Sequence, residues 1–146
     1  MQLRRAMVLL ALLTAGAAAS VSTVYGHGDA APQPVDTTGL DAVGTAWLEV
    51  NPYREKGGKQ YELAQQIGAS GYTQNCARCH GLEVVSGGIA PDLRYLDAGA
   101  DGDQWFIQRI RHGYSQDGSV KMPPFENILS QEAMWAIRSY IETRPN

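Results

Sequence analysis

The amino-acid sequence predicts an all-α domain built from three main helices. Three segments repeat apolar residues at helical spacing, and residues typical of helix ends follow the second and the third. Strand signals are sparse, because the one short apolar run, Leu82 to Val85, leads directly into a glycine-rich loop. Apolar residues make up 44% of the chain and charged residues 18%, and 146 residues fit one globular domain.

Residues 1–26 are predicted to be a secretory signal peptide. Arg4 and Arg5 precede an apolar run over residues 6–19, which is shorter than the roughly 20 residues that a transmembrane helix needs. Small residues then offer cleavage after Gly26, the preferred site, or after Ala19. An uncleaved membrane anchor is the alternative. We therefore expect a periplasmic protein with no membrane span after cleavage.

Residues 27–50 are predicted to form an extended arm, and residues 51–146 the folded domain. Pro32, Pro34 and several Gly, Thr and Asp residues disfavour regular structure in the arm. Loss of Arg4 and Arg5 with the signal would leave 10 of the 12 basic residues against 15 acidic ones, a net charge of −5. Such a charge argues against nucleic acid as a partner. Nothing in the sequence requires a dimer, so a monomer is expected.

The three helices are predicted from periodicity and end signals. The first runs from Glu62 to about Asn75, and the second from Asp103 to His112 with Gly113 as its C-terminal cap. The third has Ser130 as its N-cap and reaches about Thr143, with Pro145 beyond its end. A small helical domain follows from these three segments.

Cys76-Ala77-Arg78-Cys79-His80 matches the C-x-x-C-H sequence for covalent attachment of a c-type haem. Two thiols at this spacing can add to the two vinyl groups of a porphyrin, and the histidine that follows can bind the iron axially. A disulfide between Cys76 and Cys79 would close only a very small ring, and a structural zinc ion needs four ligands. The motif therefore predicts one haem c, held by two thioethers and by His80.

Met122 is the best candidate for the second axial ligand of the iron. It lies in Lys121-Met122-Pro123-Pro124-Phe125, where two prolines stiffen an extended loop. Gap filling at the surface is the alternative role for a methionine in such a loop. Three weaker candidates for the ligand are His27 in the arm, His112 at a helix end and Met134 in the third helix.

Further residues are expected around the haem. The Pro91 carbonyl is free to accept the other ring N–H of His80, and Leu93 would cover one haem face. Propionate contacts or plain solvent exposure are both open for Trp105, Arg109, Arg111 and Tyr114.

The order of these residues resembles the class I c-type cytochromes, whose fold packs three main helices around one covalently bound haem. Gly68, Tyr72, the haem motif, Pro91, Leu93, Met122 and the segment from Trp135 to Ile141 follow one another as in that family. One departure is Ala90, where many members have Gly. Within the class, four segments resemble the periplasmic cytochrome that serves quinoprotein (PQQ-dependent) ethanol dehydrogenases: residues 51–54, 76–83, 87–94 and 121–124.

The resemblance implies an electron carrier, not an enzyme, that accepts electrons from a quinoprotein alcohol dehydrogenase. It would hand them to a downstream cytochrome or terminal oxidase. A haem enzyme such as a peroxidase, with an open or labile sixth position, is the alternative, and a gas-binding module is a third possibility. Arg54, Lys56, Lys59 and Lys121 are candidates for a basic docking rim on an acidic protein.

Overall fold

A computed structural model describes residues 31–144 and 146, and the predicted signal peptide, His27 and Pro145 lie outside them. Five α-helices and one two-stranded antiparallel sheet are present in the described part, and two 3-10 turns lie at Leu82–Val84 and Leu93–Tyr95. The α-helices are α1 Pro52–Lys56, α2 Gly58–Asn75, α3 Ala77–His80, α4 Gly99–His112 and α5 Gln131–Ile141, and the strands are β1 Tyr114–Gln116 and β2 Ser119–Met122.

The three main helices, α2, α4 and α5, confirm the helical fold expected from the sequence. The Ser130 hydroxyl accepts a hydrogen bond from the Ala133 N–H and starts α5, while Gly113 at φ +70° ends α4. Both α2 and α4 begin four residues earlier than predicted. Their first residues, Gly58 and Gly99, follow no side-chain cap, so the sequence holds no start signal there.

A short β-hairpin follows α4, where the sequence predicts no strand. Its strands join through Asp117 and Gly118, both with positive φ, which is the two-residue turn that suits the twist of a hairpin. A bulge lies between Tyr114 and Ser115, so that Tyr114 pairs with Met122. By contrast, the apolar run at residues 82–85 forms a 3-10 turn and no strand.

The core lies where α2 crosses α5. A side chain at Gly68 would overlap the carbonyl oxygen of Ala136, so only glycine allows the two backbones to approach this closely. One turn away, the Tyr72 and Tyr140 rings pack with centroids 5.4 Å apart. The crossing fixes the C-terminal end of α2, and α3 follows directly from that end.

Buried charges join the other helices to this core. The Asp103 carboxylate in α4 is fully buried and accepts hydrogen bonds from Arg138 in α5, from Arg54 in α1 and from the Asn51 N–H. Glu142 pairs with the same two arginines. One buried carboxylate therefore connects three helices.

Residues 31–50 contain no helix or strand, yet they lie against the domain. The Asp41 N–H donates to Gln60 at 2.9 Å, the Val43 N–H to Glu132 at 3.1 Å and the Leu48 N–H to Gln131 at 2.7 Å. Several apolar side chains of this segment pack against the core: Val35, Leu40, Val43, Trp47 and Leu48. Residues 31–50 are therefore closely attached to the domain although they form no regular element.

Candidate haem site

The two cysteines and His80 are held together on one helical turn. The N–H groups of Cys79 and His80 both donate to the Cys76 carbonyl oxygen, at 3.1 and 2.9 Å. Cys76 is both the C-cap residue of α2 and the N-cap residue of α3. Two thiols and one imidazole therefore leave the chain from a single short turn attached to the core helix.

The His80 ring is oriented by the partner that the sequence suggested. Its Nδ1 lies 2.8 Å from the Pro91 carbonyl oxygen. A carbonyl only accepts, so Nδ1 holds the proton and Nε2 keeps its lone pair free to bind a metal. A hydrogen bond on the remote nitrogen also makes an imidazole a better ligand.

The loop that contains Pro91 is fixed by Asp92. Its carboxylate accepts hydrogen bonds from the Ser86 N–H at 3.3 Å and from the backbone and side chain of Arg94. The side-chain hydrogen bond from Arg94 is the largest cause that lowers the pKa of Asp92 to about 2. Leu93, next in the chain, is 8% exposed and belongs to the core. These contacts therefore hold the loop in place beside the Pro91 carbonyl that meets His80.

The turn after His80 is tightly constrained. Gly81 has φ +83°, and a side chain there would overlap the Val85 carbonyl. Glu83 and Val84 also have positive φ, which is rare for a β-branched residue, and Val84 is fully buried. The Tyr72 hydroxyl donates to the Gly81 carbonyl oxygen at 2.8 Å.

Replacing Tyr72 by Phe is expected to lower the free energy of unfolding by about 1 kcal/mol, because the Gly81 carbonyl loses its partner. Denaturant unfolding of the haem-loaded protein measures the change. Tyr61→Phe is the matched control, since its hydroxyl bonds Glu142 away from the haem motif. A Tyr72→Phe protein as stable as the wild type would show that this hydrogen bond is not needed.

The thiols of Cys76 and Cys79 are free and partly buried. Burial, followed by the nearby Cys79, raises the pKa of the Cys76 thiol to about 12. The Cys76 thiol is therefore uncharged at neutral pH.

Met122 lies at the end of β2 and is half-buried. It pairs with Tyr114, and a side chain at Gly113 would overlap its carbonyl oxygen. The structure thus attaches Met122 to the C-terminal end of α4. Cys76, Cys79, His80 and Pro91 are gathered at the C-terminal end of α2.

The other candidates for the second ligand differ in availability. Met134 is fully buried in α5 among core residues. His112 has Nδ1 3.1 Å from the Gln108 carbonyl and Nε2 3.5 Å from the Glu126 carboxylate. The histidine at position 27 lies outside the described residues. Of the three candidates within the described residues, Met122 is the one whose side chain has neither a hydrogen-bond partner nor a fully buried position.

The residues considered for propionate contacts separate into two groups. The Arg109 guanidinium lies between two rings, 5.1 Å from the Trp105 centroid and 4.6 Å from that of Tyr114. Arg111 instead pairs with Glu126 and faces the arm.

The donor set fits a c-type haem. Two cysteine sulfurs, separated by two residues, and an imidazole with one oriented free nitrogen are the groups that this cofactor uses. Within residues 31–144 and 146, no group of three or more His, Cys, Asp or Glu side chains could hold a metal ion. None of the described helices has the length and apolar character to cross a membrane.

Comparison with known proteins places the chain in a family. Residues 64–141 match the family model described as cytochrome c oxidase, cbb3-type, subunit III. The chain is 53% identical to cytochrome c550 of Pseudomonas aeruginosa over 136 residues, which are 93% of each chain. No solved structure matches it significantly.

Two partial matches are to larger proteins. A quinohemoprotein alcohol dehydrogenase, ADH-IIG of Pseudomonas putida, is 35% identical over 79 residues, 54% of this chain and 10% of the enzyme. The cbb3-type cytochrome c oxidase subunit FixP of Rhizobium meliloti is 35% identical over 86 residues, 55% of this chain and 30% of that subunit. With the C-x-x-C-H turn and the helical fold, these matches show that the chain belongs to the c-type cytochromes and is a single-haem electron carrier homologous to cytochrome c550.

Proposed function

We propose that this protein works in the periplasm, accepts electrons from a quinoprotein (PQQ-dependent) alcohol dehydrogenase and passes them to a downstream cytochrome or terminal oxidase. The distribution of its relatives is the observation that supports this role. Related cytochrome sequences form part of a quinohemoprotein alcohol dehydrogenase and part of a cbb3-type oxidase subunit, whereas cytochrome c550 matches nearly the whole chain. A separate electron carrier between a quinoprotein dehydrogenase and an oxidase would account for the similarity to both proteins.

The proposal includes export and the division of the chain. Residues 1–26 act as a signal peptide, residues 27–50 form the arm and residues 51–146 form the cytochrome domain. Export agrees with the use of the two cysteines, because free thiols at this spacing are attached to haem outside the cytoplasm.

Six residues are proposed to hold the haem. Cys76 and Cys79 form the thioethers, His80 and Met122 are the axial ligands of the iron, Pro91 orients the imidazole and Leu93 packs beside the porphyrin. When bound, the haem supplies a reversible one-electron change at its iron, and thioether ligation raises its potential. No proton transfer is then needed from the chain, so the residues serve to bind, to orient and to exclude water.

The docking surface for the donor is proposed to be apolar. Leu82 and Ile89, on either side of the turn after the haem motif, are 73% and 80% exposed. Of the four basic residues considered for a rim, Arg54 pairs with buried Asp103 and with Glu142, and Lys56 pairs with Asp41. Lys59 and Lys121 are exposed. Because two of the four charges are already paired, contact between apolar surfaces is the account of recognition that we propose.

Stopped-flow mixing with a substrate-reduced quinoprotein alcohol dehydrogenase tests the proposed donor. Saturable reduction, faster than reduction by an unrelated reduced cytochrome at the same concentration and driving force, is the expected result. Equal rates with both donors would contradict the assignment of the donor and would leave the electron-carrier role intact.

Replacing Ile89 by Ser is expected to lower the second-order rate of this reduction roughly tenfold, since it removes one exposed apolar contact from the encounter. Ile89→Leu, which keeps the apolar surface, should retain the wild-type rate. The midpoint potential, measured in parallel, should be equal in all three proteins. A Ser variant as fast as the Leu variant would exclude Ile89 from the docking surface.

A further inference from the structure

Trp47 of the arm is linked through Arg111 to the chain segment that follows Met122. Its ring centroid is 4.0 Å from the Arg111 guanidinium carbon. Arg111, at the C-terminal end of α4, donates to the Glu126 carboxylate at 2.9 Å. Glu126 is four residues beyond Met122, across Pro123, Pro124 and Phe125. A continuous row of contacts therefore runs from the arm to this segment.

Gln131 holds the arm in place on both sides of Trp47. Its side-chain oxygen accepts from the Leu48 N–H at 2.7 Å, and its side-chain nitrogen donates to the Ala46 carbonyl at 3.0 Å. Trp135 donates to the same oxygen at 3.3 Å, which fixes the orientation of the amide. Gln131 is only 7% exposed. The position of Trp47 is therefore set by partly buried hydrogen bonds to both neighbouring residues.

Trp47 covers one side of the Arg111 guanidinium, which is the group that pairs with Glu126. The Arg111 side chain is 15% exposed, and among the described residues its buried Nε has no hydrogen-bond partner. The indole face supplies the contact that this side of the guanidinium would otherwise lack. Because the indole excludes water from this side of Arg111, the attraction between Arg111 and Glu126 is also stronger. Without Trp47, water would reach Arg111 and weaken its hold on Glu126.

The segment containing Met122 is anchored at both ends. At one end Met122 pairs with Tyr114 in the hairpin. At the other, the Phe125 N–H donates to the Ile110 carbonyl at 3.0 Å, and the Phe125 ring is 3% exposed. The pairing of Glu126 with Arg111 reinforces this second anchor. Two prolines between the anchors leave the segment few other conformations.

We propose that Trp47 is a positioning residue for Met122: through Arg111 and Glu126, it holds the 122–126 segment in the conformation that keeps the thioether on the iron. This inference rests on the proposed ligation by Met122. The arm then has a role in the redox site, since it lowers the population of molecules in which the sixth position is open.

Imidazole binding to the oxidised, haem-loaded full chain measures that population, because imidazole competes with Met122 for the iron. Trp47→Leu is expected to raise imidazole affinity about fivefold, the shift typical of losing one cation–π contact. The sulfur-to-iron charge-transfer band should also disappear at a lower temperature, while helical circular dichroism persists. Trp47→Tyr, which restores an aromatic face, should recover most of the wild-type affinity.

Val35→Ala is the matched control. Val35 packs the same arm near Gly71 and Ile137, on α2 and α5, away from Arg111. Its loss should leave imidazole affinity unchanged. Equal affinity in the wild type and in Trp47→Leu, or equal increases in Trp47→Leu and Val35→Ala, would overturn the inference. A wild-type protein without the charge-transfer band would instead refute Met122 as the ligand, so the two failures are distinguishable.

Discussion

Replacing Met122 by Ala is expected to lower the midpoint potential of the haem by at least a tenth of the range that axial ligands cover. That range is roughly 0.8 V. A thioether favours the reduced iron, and alanine offers no donor atom in its place. The oxidised protein should lose its sulfur-to-iron charge-transfer band and become high-spin, and the reduced protein should bind carbon monoxide rapidly. Spectroelectrochemical titration with visible spectra measures these changes together.

Met134→Leu is the control for this variant. Met134 is fully buried in α5, and leucine of similar volume should replace it with little loss of stability and no change in spectrum. An unchanged spectrum in Met122→Ala would remove Met122 from the site. A high-spin wild-type protein with rapid peroxide turnover would favour the haem enzyme over the carrier.

The parts of the fold that the sequence predicted depend on neighbours along the chain. Ser130 caps α5 through a hydroxyl three residues from its partner, and Gly113 ends α4 with a backbone conformation that glycine adopts easily. The haem motif is equally local, since the C-x-x-C-H spacing places its donors on one turn. Such features need no knowledge of tertiary contacts.

The hairpin was missed although a local signal for it exists. Asp117-Gly118 is a favoured pair for a two-residue hairpin turn. The strands on either side are short and mostly polar, so they lack the alternation of apolar and polar residues that identifies a strand. With it, the Tyr114 pairing that positions Met122 was also missed.

The long-range charge pairs could not be predicted from spacing. Arg54 reads in the sequence as an exposed basic residue, yet its partners Asp103 and Glu142 lie 49 and 88 positions away. The hydrogen bonds between Gln131 and the arm around Trp47 could not be predicted either, because nothing in the arm sequence indicates which helix the arm contacts. These contacts depend on the packing of α1 and the arm, which periodicity does not encode.

Asp103→Asn is expected to destabilise the haem-loaded protein by about 3 kcal/mol at neutral pH, because it leaves the buried Arg138 guanidinium without its main counter-charge. The amide keeps the shape of the carboxylate but lacks its charge. Glu142, 3.3 Å from Arg138, still offers partial compensation, which places the loss at the lower end of the range for broken buried pairs. Denaturant unfolding at pH 7 measures it.

The pH dependence gives this prediction a second test. Burial alone would raise the pKa of Asp103, but hydrogen bonds from Arg54, Arg138 and the Asn51 N–H outweigh it and hold the pKa below its ordinary value. A carboxyl with a lowered folded-state pKa stabilises the protein fully above its unfolded pKa of about 4, and that stability is lost as the pH falls through the lower folded-state value. The difference between wild type and Asp103→Asn should therefore shrink below pH 4 or so.

Glu83→Gln provides the comparison for Asp103→Asn, because its pair with Arg144 is also an ion pair but the Glu83 side chain is 71% exposed. Water and salt screen an exposed pair, so its loss should cost less than about 1 kcal/mol at any pH. Should Asp103→Asn prove no more costly than Glu83→Gln, or should its cost stay constant between pH 7 and acid, the buried carboxylate would not be the connection that holds α1, α4 and α5 together.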